Sequence, residues 1–319
     1  MAAVEHLGRV MASELRIVAI DPRPGQIDDA RSFVERLEQR WSRFLPTSDI
    51  SRLNTLAGDP VEVAHDTLVL LATLIEAWEV TGGRHDAGIL PTLIANGYRT
   101  SVVDPARATV LPGTARFQPG AILDIVIDQP TGRATLPAGL ALDPGGIGKG
   151  LAADLAVARL LAGGARGALV SIGGDLAMAG ESPYPAGWII GVEAATRGEA
   201  ALCTLAISGG GVATSSTRTR TWELDGTVRH HMIDTASAGQ AATDLVAATV
   251  VADTGWAAEA HATAALVAGR EHVLDYLASR GLEGLAVTVD GVVLQTHGIR
   301  ALDPAADLGQ AGLVPGMGS

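Results

Sequence analysis

Two Asp-Gly dipeptides constrain the fold of this chain more than any other feature. Asp225-Gly226 separates TWEL from TVRHHMI, and Asp290-Gly291 separates AVTV from VVLQ. Each is the dipeptide that a two-residue turn with positive φ prefers, set between β-branched runs, so each predicts an antiparallel hairpin. Further strand-like runs lie at 122–128, 168–172, 188–192, 202–207 and 247–251.

Helices interrupt these strands without a regular alternation. Phe33, Val34, Leu37, Trp41 and Phe44 recur at helical spacing behind Asp28 and Asp29, which predicts an amphipathic helix with an acidic start over about 30–45. A second helix is expected over 66–80, stopped by Gly82-Gly83, and a third over 151–161, stopped by Gly163-Gly164. A fourth over 256–268 ends at Gly269 and a fifth over 271–280 at Gly281. Hairpins mixed with helices favour an α+β fold, with largely antiparallel or mixed sheets flanked by helices, over a doubly wound parallel one.

The 319 residues allow one large domain or two ordinary ones, and 47% apolar with 18% charged residues is ample for a core. A formal charge of −12 argues against nucleic-acid and anionic-membrane partners, which require a basic face. No apolar run approaches the roughly 18 residues of a spanning helix, so no stable membrane insertion is expected. The start lacks a basic segment followed by an apolar one, which leads to the expectation of a cytoplasmic chain. An exported or membrane-associated form would imply a leader already removed. Cys203 is the single cysteine and cannot form an intrachain disulfide.

Of the 23 basic residues, 22 are arginine and one is lysine: Lys149, inside Asp143-Pro-Gly-Gly-Ile-Gly-Lys-Gly150. An ammonium is a compact, rotating point charge where a guanidinium is a rigid fork, so a lone lysine among glycines suggests a tight polyanion or a structural charge pair. Glycines let backbone N–H groups approach an oxyanion, and a helix beginning near Gly150 would aim its positive end there. The run is neither a Walker A loop, since Asp143 and Gly150 stand where Gly and Ser/Thr belong, nor a completed G-x-G-x-x-G. A purely structural turn into a helix is the competing interpretation.

Glu259 and Thr263 stand four apart in the fourth helix and share a face, so a carboxylate and a hydroxyl could reach one hard cation such as Mg²⁺. A solvated face with an incidental threonine is the alternative. His230 and His231 lie in the run 227–234, where strand alternation sends them to opposite faces. At most one of the two can enter a given site, as a general base near neutral pH or as a structural residue.

Taken in order, WSRFLPTSDISRLN from Trp41 to Asn54, GGRHD from Gly82 to Asp86, DPGGIGKGLAAD, VSIGGDLAMAG, GVATSSTRTR, HHMID and AEAHATAAL resemble the ApbE family of FAD:protein FMN transferases. The resemblance runs from about Met11 to Gly269. It implies an enzyme that binds FAD and Mg²⁺, moves FMN to a Thr or Ser hydroxyl of an acceptor protein and releases AMP. A Mg²⁺-dependent FAD pyrophosphatase, or a weakly catalytic flavin-binding protein, would use the same site. The architecture implied is ApbE-like and T-fold-like, a single catalytic domain over 1–319 that can be built as two intertwined subdomains with the site between them.

Carried over residue by residue, the resemblance implies a metal site of Glu259, Thr263 and the Gly146 carbonyl. Asp143 and Lys149 match flavin-nucleotide contacts, while Met11, Phe44, Asn54, Arg84, His85, Asp86 and Met232 match further FAD positions. His231 matches the base that takes the acceptor's proton. Four departures accompany the match. Glu259 stands where Asp is usual, and His85 where Phe is usual; Met11-Ala-Ser13 replaces Met-Gly-Thr, and Asp234-Thr-Ala-Ser-Ala238 replaces Asp-Pro-x-Thr-Gly.

Overall fold

The computed structural model of the protein describes residues 2–193 and 202–301. The chain opens with β1 (Ala3–Val10) and β2 (Ser13–Ile20), followed by α1 (Gln26–Trp41), α2 (Asp49–Thr55), β3 (Val61–Glu62), α3 (His65–Thr81) and α4 (Leu90–Ala95). Two short strands, β4 (Val126–Asp128) and β5 (Arg133–Thr135), precede α5 (Gly148–Ala162), β6 (Gly167–Ile172), β7 (Asp175–Gly180) and β8 (Trp188–Val192). Then come β9 (Cys203–Ile207), β10 (Gly210–Ser216), β11 (Thr221–Leu224), β12 (Thr227–His230), β13 (Ile233–Asp234) and β14 (Gly239–Gln240). The described chain closes with β15 (Leu245–Ala252), α6 (Gly255–Ala268), α7 (Val273–Ala278), β16 (Glu283–Thr288), β17 (Val293–Gln295) and α8 (His297–Ala301).

These elements form two compact units. Of the described residues, the first gathers 2–34, 149–193, 202–218 and 243–301, and the second 35–148 and 219–242. In the first unit an eight-stranded sheet runs β1-β2-β6-β7-β10-β15-β16-β17, antiparallel at every pairing. The α+β expectation holds. One face of this sheet carries Ile20, Leu169, Met178, Val212 and Leu285 into a core completed by Trp188, Ile190 and Leu205 of the β8–β9 pair. Every residue of β6 is buried, Ser171 included, which explains why the strand shows no alternation of polar and apolar residues.

In the second unit β3, β5 and β4 make a small sheet, and two hairpins follow, β11–β12 and β13–β14. Asp225 and Gly226 turn the first hairpin at φ 51° and 72°, as the dipeptide predicts. The Asp290-Gly291 hairpin of the first unit is also present, but not as a two-residue turn: the strand pairing ends at Val287 and Val293, and of the dipeptide only Gly291 has positive φ, at 82°. Gly82, at φ 64°, ends α3, and Gly269, at φ 74°, ends α6.

Other expectations need correction, beginning with the first helix, which runs over Gln26–Trp41 and leaves Phe44 beyond its end. The run 122–128 is a strand only from Val126, because Gly120 turns the chain at φ 77° into a short 3₁₀ segment that buries Ile122. The run 227–234 is not one strand. β12 ends at His230, paired with Thr221, and β13 begins at Ile233, paired with Gln240, so the chain changes partner between them and strand alternation says nothing about His231. The fifth helix is short, Val273–Ala278. The β1–β2 hairpin went unforeseen, because Met11 and Ala12 turn it at φ 51° and 61° without a glycine or asparagine to announce it. Among the described residues no helix is long and apolar enough to cross a membrane.

Candidate functional site: a buried ion cluster and a clamped glycine turn

In the first unit Lys149 occupies the first turn of α5, and its ammonium bonds two carboxylates. One is Asp175 at the head of β7; the other is Glu259 Oε1 of α6, at 2.7 Å. The lone lysine is therefore a charge pair in this structure. The second oxygen of Glu259, Oε2, accepts the backbone N–H of Gly150 at 2.8 Å. Both carboxylates are nearly closed to solvent, their side chains 4% and 5% exposed. Burial is the largest influence on the Glu259 carboxyl and pushes it up; Asp175 adds to the rise, while Lys149 and the Gly150 N–H oppose it.

The α5–α6 crossing that creates this cluster is a backbone contact. A Cβ on Gly150 would collide with the Gly255 carbonyl, and one on Gly255 would stand 2.8 Å from the Gly150 carbonyl oxygen. Asp154, one turn further along α5, accepts the N–H of Gly255 at 2.8 Å and of Trp256 at 2.9 Å. Those are the orphan donors of the α6 N-terminus, and the Thr254 side chain accepts a third, from Ala257. Burial raises the Asp154 carboxyl to about 6 against these bonds.

Thr263 lies one turn beyond Glu259, and its hydroxyl meets Ser215 Oγ of β10 at 3.1 Å. Glu259 is buried and Thr263 half-buried, so this face is packed rather than solvated. Two acidic side chains face one ammonium, and the nearby donors are oxygens. That combination fits a hard divalent cation such as Mg²⁺. Among the described residues no group of three or more His, Cys, Asp or Glu side chains is placed to hold a metal, so backbone, substrate or water oxygens would complete its shell.

The neighbouring helix residue His261 is buried and bonds Tyr276 Oη through Nδ1 at 2.7 Å. Burial, then Arg280, lowers it to about 4, which marks a structural, neutral imidazole. Met11 sits half-buried in the β1–β2 turn of the same unit.

The second unit holds the other sequence candidates. Asp143 caps the turn Pro144–Gly146, accepting the Gly145 N–H at 2.8 Å through Oδ1, and its Oδ2 accepts from Arg43 Nε at 2.9 Å. Arg43, missed in the sequence, is buried with all three guanidinium nitrogens engaged: Nε with Asp143, one terminal nitrogen with Thr109 Oγ1 at 2.7 Å and the other with the Tyr98 carbonyl at 3.1 Å. It stacks 4.1 Å from the Phe44 ring centroid and 4.7 Å from that of Tyr98, against which Trp222 is stacked. No spacing rule announces a buried arginine in a chain with 22 of them.

Asn54 is buried and bonds the Leu142 backbone through both amide atoms, at 2.9 and 2.7 Å, which fixes the segment leading into Asp143. Asp86 joins Gly88 and Gly120 through their N–H groups at 2.8 and 3.0 Å, and burial raises its carboxyl. The buried His85 ring lies where a side chain at Gly146 would go, 2.7 Å from an ideal Cβ, so only glycine fits beside it. Arg84 is exposed, Met232 buried and His231 half-buried in the link between β12 and β13. Just past β13, the Thr235 hydroxyl donates to the Gly83 carbonyl at 2.7 Å.

Comparison with known proteins accords with this architecture. The Thermotoga maritima ApbE protein, a crystal structure, superposes with a TM-score of 0.82 at 22% identity, over 95% of this chain and 99% of that one. The apo Pseudomonas stutzeri flavinyl transferase ApbE gives 0.78 at 25%, over 95% and 97%. A Klebsiella pneumoniae protein named FAD:protein FMN transferase is 26% identical over 91% of this chain and 85% of its own length. An Escherichia coli protein of the same name is 30% identical over 158 residues, which span 49% of this chain and about half, 45%, of that relative. The model of the ApbE family matches residues 11–287, and the chain belongs to that family.

Proposed function

We propose that this protein is an FAD:protein FMN transferase, taking FMN from FAD, with Mg²⁺, to a Thr or Ser hydroxyl of an acceptor protein. The observation that carries the proposal is the buried Lys149–Asp175–Glu259 cluster beside Thr263 in a chain of this family. The acceptor oxygen attacks the phosphorus on the FMN side of the FAD diphosphate. The bond from that phosphorus to the bridging oxygen breaks, AMP departs with that oxygen, and a phosphoester forms.

Such a reaction needs charge neutralisation and alignment more than covalent help. Glu259 and Thr263 would hold Mg²⁺, with the Gly146 carbonyl added by the resemblance, and the bound ion supplies Lewis-acid neutralisation of diphosphate oxygens. Lys149 offers its ammonium to the same diphosphate. His231 receives the acceptor proton, the general-base role to which an imidazole side chain is suited. Asp143, held by Arg43, and Asn54, bonded at Leu142, keep the glycine turn in shape, while Met11, Phe44, Arg84, His85, Asp86 and Met232 are the flavin contacts that the family resemblance implies.

The test is to incubate the purified chain with FAD, Mg²⁺ and a Ser- or Thr-containing acceptor peptide and to weigh the peptide. A gain matching FMN supports the proposal. Free FMN and AMP without that gain identify a hydrolase, and intact bound FAD a binding protein. Glu259→Ala should abolish Mg²⁺-dependent transfer in a folded chain, and His231→Ala should lower kcat far more than FAD affinity.

A further inference from the structure

Lys149 and Glu259 have competing duties. The ammonium proposed for a diphosphate is bonded to the carboxylate proposed for a metal, at 2.7 Å. A divalent cation on Glu259 would repel that ammonium, and lysine's four-carbon stem is flexible enough to swing it away. What keeps it in place must be a second anion that the cation does not claim.

Asp175 meets that description. It is 3% exposed and stands at the head of β7, paired with Ile172 across the β6–β7 turn. The turn itself is tightly specified. Gly173 and Gly174 adopt φ 62° and 92°, and a Cβ on Gly173 would stand 2.7 Å from Ser13 Oγ and 3.8 Å from Lys149 Cδ. The lysine stem thus passes over Gly173 while its head bonds Asp175, so one sheet turn holds both. Glu259, by contrast, belongs to α6 and shares its carboxylate with the Gly150 N–H.

We propose that Asp175 is the positioning residue for Lys149, an anchor on the sheet that keeps the ammonium at the diphosphate site when Glu259 engages a cation. The proposal rests on the transferase reading above. Asp175 touches neither substrate nor metal in this account; it acts through Lys149.

A double-mutant cycle on FAD affinity, read by flavin fluorescence quenching in Mg²⁺, tests it. Asp175→Asn should weaken FAD binding about tenfold, as expected on losing a charge-assisted bond, and Lys149→Met at least as much. The double variant should bind FAD no more weakly than Lys149→Met alone. Additive losses, or unchanged affinity in Asp175→Asn beside a clear loss in Lys149→Met, overturn the proposal and leave the transferase reading standing. Absence of FAD binding by the parent chain overturns both. Because Lys149 is the sole lysine, its rate of acylation by an amine reagent, followed by mass spectrometry, gives a readout without flavin. That rate should rise several-fold in Asp175→Asn, and an unchanged rate counts against the anchor. Should Asp175→Asn not fold, Asp175→Glu enters the same cycle: its loss of FAD affinity must vanish in the Lys149→Met background, and persistence there overturns the proposal.

Discussion

Gly150 donates its backbone N–H to Glu259 Oε2 across 2.8 Å, at a point where α5 and α6 touch backbone to backbone. A Cβ on Gly150 would strike the Gly255 carbonyl and stand 2.7 Å from the Trp256 nitrogen, and neither atom can rotate away. Gly150→Ala is therefore expected to destabilise the chain by about 3 kcal/mol, the upper end for overpacking a tight contact. It should also detach Glu259 from α5. Urea denaturation measures the first effect; a loss below about 1 kcal/mol would mean that the two helices part without cost.

Asp154 couples the same two helices to pH. Its carboxyl titrates near 6 in the folded chain against an ordinary 3.8, because burial outweighs the N–H groups of Gly255 and Trp256. Between those two values the folded state holds the proton more tightly than the unfolded one, so the contribution of this group is full below the lower value and is lost as pH rises through the upper. Asp154→Asn cannot titrate. The melting-temperature difference, parent minus variant, should fall as pH rises from about 4 to about 6 and then level off. A difference that is flat across that window would show that Asp154 does not titrate there.

The sequence carries local signals well and partners poorly. Asp225-Gly226 announces its hairpin because positive φ at two consecutive residues demands particular types, and Gly291 marks another turn, whereas Met11 and Ala12 adopt two consecutive positive φ angles with no such mark. The four-residue spacing of Glu259 and Thr263 predicted a shared face, but not that Glu259 is buried against Lys149. Lys149 stood out as the one lysine among arginines, while its anchor Asp175 lies 26 residues away and became meaningful only when the β6–β7 turn folded it back. Alternation failed at His231 because pairing changes from Thr221 to Gln240 across it, a tertiary event that no run of residues records.

Arg43 shows the same limit from the side of stability. Its guanidinium is buried and divided among Asp143, Thr109 and the Tyr98 carbonyl, a fork that no ammonium can reproduce. Arg43→Met leaves the Asp143 carboxylate without its cation, so a loss of about 3–5 kcal/mol is expected. Arg43→Lys should recover less than half of it. In the double variant with Asp143→Asn, the remaining partner is no longer charged and part of the loss should return. Additive losses in urea denaturation would show that the two side chains are not coupled.

Ala238 offers a change in the opposite direction. It is exposed and held at φ 52°, in the left-handed region, at the end of the turn in which Asp234 Oδ1 accepts the Ala236 N–H at 3.0 Å. An alanine Cβ crowds the following carbonyl in that conformation at a cost of about 1–2 kcal/mol, and glycine avoids it while losing some backbone entropy on folding. The balance favours glycine, so Ala238→Gly is expected to stabilise the chain by roughly 1 kcal/mol. Ala238→Val, which adds a β-branch to the same strained backbone, should destabilise by a comparable amount. The urea midpoints of the two variants should lie on either side of the parent's; a glycine variant no more stable than the parent would mean that residue 238 is not held left-handed in solution.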